Sequence, residues 1–181
     1  MKKLKNGLIL LLLIILPLLL LYCSEGYKEP VPFFDGLYLE YSFDGIPTIY
    51  NVKVIDNNKF RIIETRKWSS LSDEVEELFV NAHGKVYKST FKDYEGKFSP
   101  IWIPAYAMKI GDTFDEGYQV VRKDKWKKWN VMVVKSPGTL GETELYYESK
   151  TGFLVGFFAR MGTREGTEIL ENTNANIPVV E

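Results

Sequence analysis

From Asp35 onward, apolar and polar residues alternate along the chain. In DGLYLEYSF, Leu37, Leu39, Tyr41 and Phe43 fall on one side, and Tyr38, Glu40 and Ser42 on the other. A period of two is the signature of a half-buried strand, because successive side chains of a strand point to opposite faces. TIYNVKVID follows the turn-like DGIP, and the Asp56-Asn57-Asn58 corner leads into KFRIIETRKW. Together these predict an antiparallel meander.

The next stretch, SSLSDEVEELFVNAHGKVYKSTF, carries two signals. Ser70 and Asp73 have capping-box spacing, and Val75, Leu78 and Phe79 sit at i, i+3 and i+4, as on a helix. ELFVNAHGKVYKS, however, has two β-rich arms around His83-Gly84, and the helix would end within about ten residues. A hairpin is the favoured reading. GYQVVRKDKWKKWNVMVVKS, ETELYYESKTGFLVGFFAR and GTEILEN add further β-rich runs bracketed by turn residues. Nine or ten strands are expected, with neither βαβ spacing nor a fixed repeat. The predicted fold is all-β: a single antiparallel meander sheet, curved into a half-barrel or a closed barrel, preceded by an N-terminal apolar helix.

That helix comes from a different pattern. MKKLKNG is followed by LILLLLIILPLLLLY, a basic stretch and a short apolar run like those of a signal segment. The fifteen residues Leu8 to Tyr22 rise about 22 Å as a helix, short of a hydrocarbon core of about 30 Å. The lysines ahead of the run orient it with everything after Cys23 exported. Domain boundaries follow: 1–22 a signal peptide or signal-anchor helix, 23–34 a tether with two prolines, 35–172 the β domain and 173–181 a tail.

Cys23 is the chain's single cysteine. LLLLYC resembles the end of a bacterial-type lipoprotein signal peptide, carried by Leu20, Leu21, Tyr22 and Cys23. The resemblance implies a diacylated cysteine as the mature first residue. The family pattern has a small residue where this chain has Tyr22, so an uncleaved anchor helix ending at Cys23 stands as the alternative. A reactive thiol is disfavoured, since no histidine or cationic group nearby would lower its pKa. Both leading readings place the domain on the membrane, facing the extracytoplasmic side.

Composition excludes several chemistries. One cysteine and one histidine allow neither an intrachain disulfide nor a Cys/His zinc site. Scarce Cys, His and Gln beside abundant Lys and Glu is a bias of proteins from hot environments. Three of the 23 basic residues, Lys2, Lys3 and Lys5, precede the apolar run, leaving 20 against 24 acidic ones. A mildly acidic exported domain gives no reason to propose a nucleic-acid partner. No nucleophile elbow, P-loop or Ser/His/Asp set is present, no carboxylate pair stands out, and no cofactor is implied. The sequence argues against an enzyme.

Two stretches carry candidate binding residues. SPIWIPAYAMKIGDTF, residues 99–114, is the least strand-like apolar segment. It is read either as a plug closing one end of the barrel or as the mouth of an apolar pocket, with Trp102, Tyr106 and Met108 as contacts. In RKDKWKKW, Lys125, Trp126, Lys127, Lys128 and Trp129 form either a membrane-surface patch or a solvated hairpin whose tryptophans pair across strands. His83 is read as a turn residue. Asp56, Asn57 and Asn58 lack the spacing of a calcium loop, and Asp73, Glu74, Glu76 and Glu77 are read as a solvated face.

Pro104, Lys109, Gly111 and Asp112, with Tyr146, Tyr147, Thr151 and Gly152, resemble turn motifs of uncharacterised archaeal and bacterial exported proteins. The overall plan is also similar to lipoprotein carriers of the LolA and LppX kind, which implies a half-barrel holding acyl chains. The expected function is a membrane-tethered, non-enzymatic β-domain that binds a lipid or other apolar ligand. Its alternative is an adaptor with a filled core that contacts another envelope protein through an edge strand.

Overall fold

The computed structural model describes residues 31–180 apart from positions 44, 68–71, 91 and 139–140. The expected apolar helix, Cys23 and the tether as far as residue 30 lie outside the described residues. Everything described is β-structure, two short 3-10 turns and loops, with no α-helix among the described residues.

Eleven strands form one antiparallel sheet. The first five are β1 (Tyr38–Phe43), β2 (Ile46–Asp56), β3 (Lys59–Arg66), β4 (Glu74–Asn81) and β5 (Val86–Ser89). After a long connection come β6 (Thr113–Phe114), β7 (Tyr118–Trp126), β8 (Trp129–Lys135), β9 (Glu142–Glu148), β10 (Leu154–Met161) and β11 (Arg164–Thr173). The chain enters the sheet at its middle. β1 pairs with β2 on one side and β11 on the other, so Leu39 lies opposite both Tyr50 and Thr173. From there β2 to β5 step outward in one direction and β11 back to β6 in the other.

The all-β antiparallel plan is as the alternation predicts, but the sheet is not closed. Its edges are β5 and β6, of four and two residues. The connection between them, residues 90–112, includes Pro100 and Pro104, which have no N–H to give to a ladder. It crosses the gap in short pairings instead: Val86 N–H donates to Lys97 O at 2.8 Å, Leu154 N–H to Ile101 O at 2.9 Å, and Gly111 N–H to Val120 O at 2.8 Å. The eleventh strand is β6, whose pairing of Phe114 with Tyr118 lies in a stretch the sequence reads as loop.

The β4–β5 hairpin replaces the helical alternative from Glu74 onward, while Ser70 of the capping-box spacing lies outside the described residues. Glu76, Leu78 and Val80 face inward, while Val75 is 56% exposed, so the i, i+3, i+4 pattern divides between the two faces. The core is built on the predicted phase, with Leu37, Leu39 and Tyr41 fully buried. The Tyr41 hydroxyl satisfies itself by donating to Leu154 O at 2.7 Å.

Both ends of the domain extend past their expected boundaries. Val31 and Phe33, assigned to the tether, are core residues. Phe33 meets Phe60 edge-on at 5.5 Å and Trp102 at 6.3 Å. The stretch after β11 is not a free tail: Ala175 and Ile177 pack against the core, and Val180 N–H donates to Lys128 O at 2.7 Å. Burial of four apolar side chains outweighs the extended look of these proline-bearing segments.

Candidate functional site

The open sheet wraps around a cavity of about 490 Å³. Alternation places its walls. Tyr50 on β2, Leu145 and Tyr147 on β9, and Leu154 and Phe157 on β10 point inward, and Phe114 and Tyr118 come from the β6–β7 hairpin. The open side is filled by the long connection, which contributes Tyr94, Phe98, Ser99, Pro100 and Ile103. Asp115 clamps that side. One of its carboxylate oxygens accepts from Phe98 N–H at 2.6 Å, the other pairs with the Lys85 ammonium, and Lys85 Nζ stands 3.5 Å from the centre of the Phe98 ring.

One part of the wall is charged. The β2–β3 register sets Thr48 opposite Arg66 and Tyr50 opposite Glu64, all facing the cavity, and Glu168 enters from β11. Arg66 Nη2 lies 2.6 Å from Glu64 Oε1, with the Glu64 side chain 1% exposed. Burial nevertheless keeps the Glu64 carboxyl above its ordinary range, Arg66 pulling it down and Glu76, its cross-strand partner, pushing it up. Glu168 is pushed up to about 7. Burial is the main cause, the Thr48 hydroxyl opposes it, Glu64 adds to it and Arg66 opposes it. Tyr50 and Tyr41 are held well above the usual phenol range, chiefly by burial and then by nearby carboxylates. Ser99 is 1% exposed, lines the cavity, and its Oγ has no hydrogen-bond partner among the described residues.

The residues singled out from sequence lie elsewhere. Trp102 is fully buried, its indole N–H donates to Thr151 O at 2.8 Å, and it packs on Phe33 and Phe98. It is a plug. Gly84 lies against it so closely that an added Cβ would stand 2.5 Å from the indole, and its positive φ of 77° suits glycine as well. Met108 is buried and Tyr106 is 37% exposed, and neither lines the cavity. Their segment does supply the wall, but through Ser99, Pro100 and Ile103.

At the β7–β8 tip, Trp126 and Trp129 are cross-strand partners stacked at 6.1 Å, and Trp126 also stacks on Tyr146 at 4.6 Å. Lys125, Lys127 and Lys128 are exposed. Lys127 and Lys128 lie over the two indoles. Trp129 is only 3% exposed and Trp126 is partly buried, so cross-strand packing takes up the Trp129 ring and part of Trp126. His83 is exposed in its turn, and Asp56 accepts from Asn58 N–H at 2.9 Å as a corner. Within the acidic run Glu76 is buried, which corrects its reading as a solvated face.

Glu64, Glu168 and Arg66 escaped the sequence reading, although a signal existed. Glu64 is in phase with Phe60 and Ile62, and Glu168 with Leu170, so each is a carboxylate at an apolar position of its strand. Compared with protein-family models, curated proteins and solved structures, the chain matches none.

Proposed function

We propose that this chain is a non-enzymatic binding protein, held on the extracytoplasmic side of a membrane by its first 23 residues, that takes an apolar ligand into its open β-sheet. The observation that carries this reading is the cavity of about 490 Å³, within the range of about 300–1,000 Å³ typical of small-molecule sites. Its aromatic walls with a few polar groups have the composition such sites use. A cavity of this size supports the ligand-binding reading over an adaptor with a filled core.

Native mass spectrometry of the protein purified from membranes tests the reading. A co-purifying apolar molecule in one-to-one ratio supports it, and ligand-free protein that also refuses added dodecanol speaks against it. Peptide mass spectrometry tests the anchor separately. A lipid-modified Cys23 as first residue supports lipidation, and an intact Met1 supports the anchor helix.

A further inference from the structure

Five charged side chains line the cavity: Glu64, Arg66, Lys97, Asp115 and Glu168. Four have an opposite charge within reach. Glu64 pairs with Arg66, Asp115 with Lys85, and Lys97 with Glu116 at 3.5 Å. Glu168 is the exception: 8% exposed, it belongs to no ion pair among the described residues. A buried carboxylate without a cation is costly. Ser99 Oγ independently offers the cavity an unused hydrogen-bonding hydroxyl.

We propose that the cavity selects a cationic amphiphile, an apolar chain bearing a protonated amine, with the ammonium held by the carboxylate of Glu168 and the chain against the aromatic wall. The inference rests on the reading of the cavity as an apolar-ligand site. An anionic head is disfavoured by charge. Three carboxylates line the cavity, Glu64, Asp115 and Glu168, and its two lining cations already have partners, Arg66 in Glu64 and Lys97 in Glu116. A neutral head would leave the Glu168 carboxylate without a counter-ion.

The groups acting on Glu168 give the site a pH dependence. Thr48 and Tyr50 face it from β2, Tyr41 from β1, and Glu64 and Arg66 from β3. Below about 7 the Glu168 carboxyl is protonated and its attraction for a cation is lost. Amine binding therefore weakens on acidification, while binding of an uncharged chain does not.

Dodecylamine, dodecanol and laurate, compared by displacement of N-phenylnaphthylamine fluorescence, test this. We expect the amine to bind about tenfold or more tighter than the alcohol, as a charge-assisted hydrogen bond provides, and laurate to bind weakest. The amine-to-alcohol ratio falls towards one in Glu168→Gln, and it falls in the wild type between about pH 8 and about pH 5. The wild-type pH series stands even if the variant fails to fold. Laurate binding as tightly as the amine, or a ratio indifferent to pH or to Glu168→Gln in folded protein, overturns the proposal. If none of the three binds, the reading of the cavity as a ligand site fails instead.

Discussion

Arg66 and Glu64 stand two residues apart on the inner face of β3, the guanidinium 2.6 Å from the carboxylate, and the pair forms part of the cavity wall. Glu64 is 1% exposed and Arg66 34%, so solvent reaches only the cation. Removing Arg66 leaves a buried carboxylate facing Glu76 across the strands. We expect Arg66→Met to destabilise the fold by about 2–3 kcal/mol at neutral pH, below the full value for a buried pair because Arg66 is partly solvated. The loss shrinks on acidification as Glu64 takes up a proton. Denaturant titrations at several pH values check both the size and the direction.

Glu168 ties stability to pH with a definite sign. Its carboxyl rises from 4.5 to about 7 on folding, so between those values the folded chain holds a proton that the unfolded chain has released. Stability from this group is present below about 4.5 and is lost as pH rises through about 7. The loss is at most about 3 kcal/mol by linkage. Glu168→Gln, which carries no charge at any pH, is expected to be more stable than wild type at alkaline pH by about 1–3 kcal/mol and near it in acid. Urea midpoints on both sides of the window measure this.

Asp115 holds the two sheet edges together through the Lys85 ammonium and the Phe98 amide. Asp115→Ala removes both contacts. A loss of about 2 kcal/mol is expected. The Phe98 amide should exchange faster with solvent than in wild type, while amides in β1 and β11 slow or quicken only with global stability. Hydrogen exchange separates the two effects.

Trp102 and Tyr106, four residues apart in one segment, have opposite weight. Trp102→Ala empties a fully buried site and removes the donor to Thr151 O, for an expected cost of about 3–5 kcal/mol. Tyr106→Ser, at a side chain 37% exposed, should cost much less, about 1 kcal/mol or less. Thermal melts of the two variants compare plug and surface directly.

The strands were legible because each turns one face to a core, and a period of two survives wherever that holds. Leu37, Leu39 and Tyr41 are the clearest case. What escaped was long-range. Nothing local in Val31 or Phe33 says that Phe60, Trp102 and Phe153 wait to cover Phe33. β6 is two residues long and exists only because Tyr118 and Gln119 lie beside it. The aromatic residues of the 99–114 segment drew attention to Trp102, Tyr106 and Met108, yet tertiary packing turned Ser99, Pro100 and Ile103 to the cavity instead. The charged wall was half visible. Glu64 and Glu168 put carboxylates at apolar positions of their strands, but only the fold shows that Arg66 pairs with one of them and that the other belongs to no ion pair among the described residues.

The cavity as an apolar binding site is tested most directly by titrating the purified protein with N-phenylnaphthylamine, beside a variant that fills the space. Leu145 lines the cavity and is only partly buried, so Leu145→Trp adds bulk there with room to adjust. We predict saturable one-to-one binding to wild type, displaced by dodecanol and weakened at least about tenfold in Leu145→Trp. Fluorescence that rises without saturation, or equal saturable binding to wild type and folded Leu145→Trp, would contradict it.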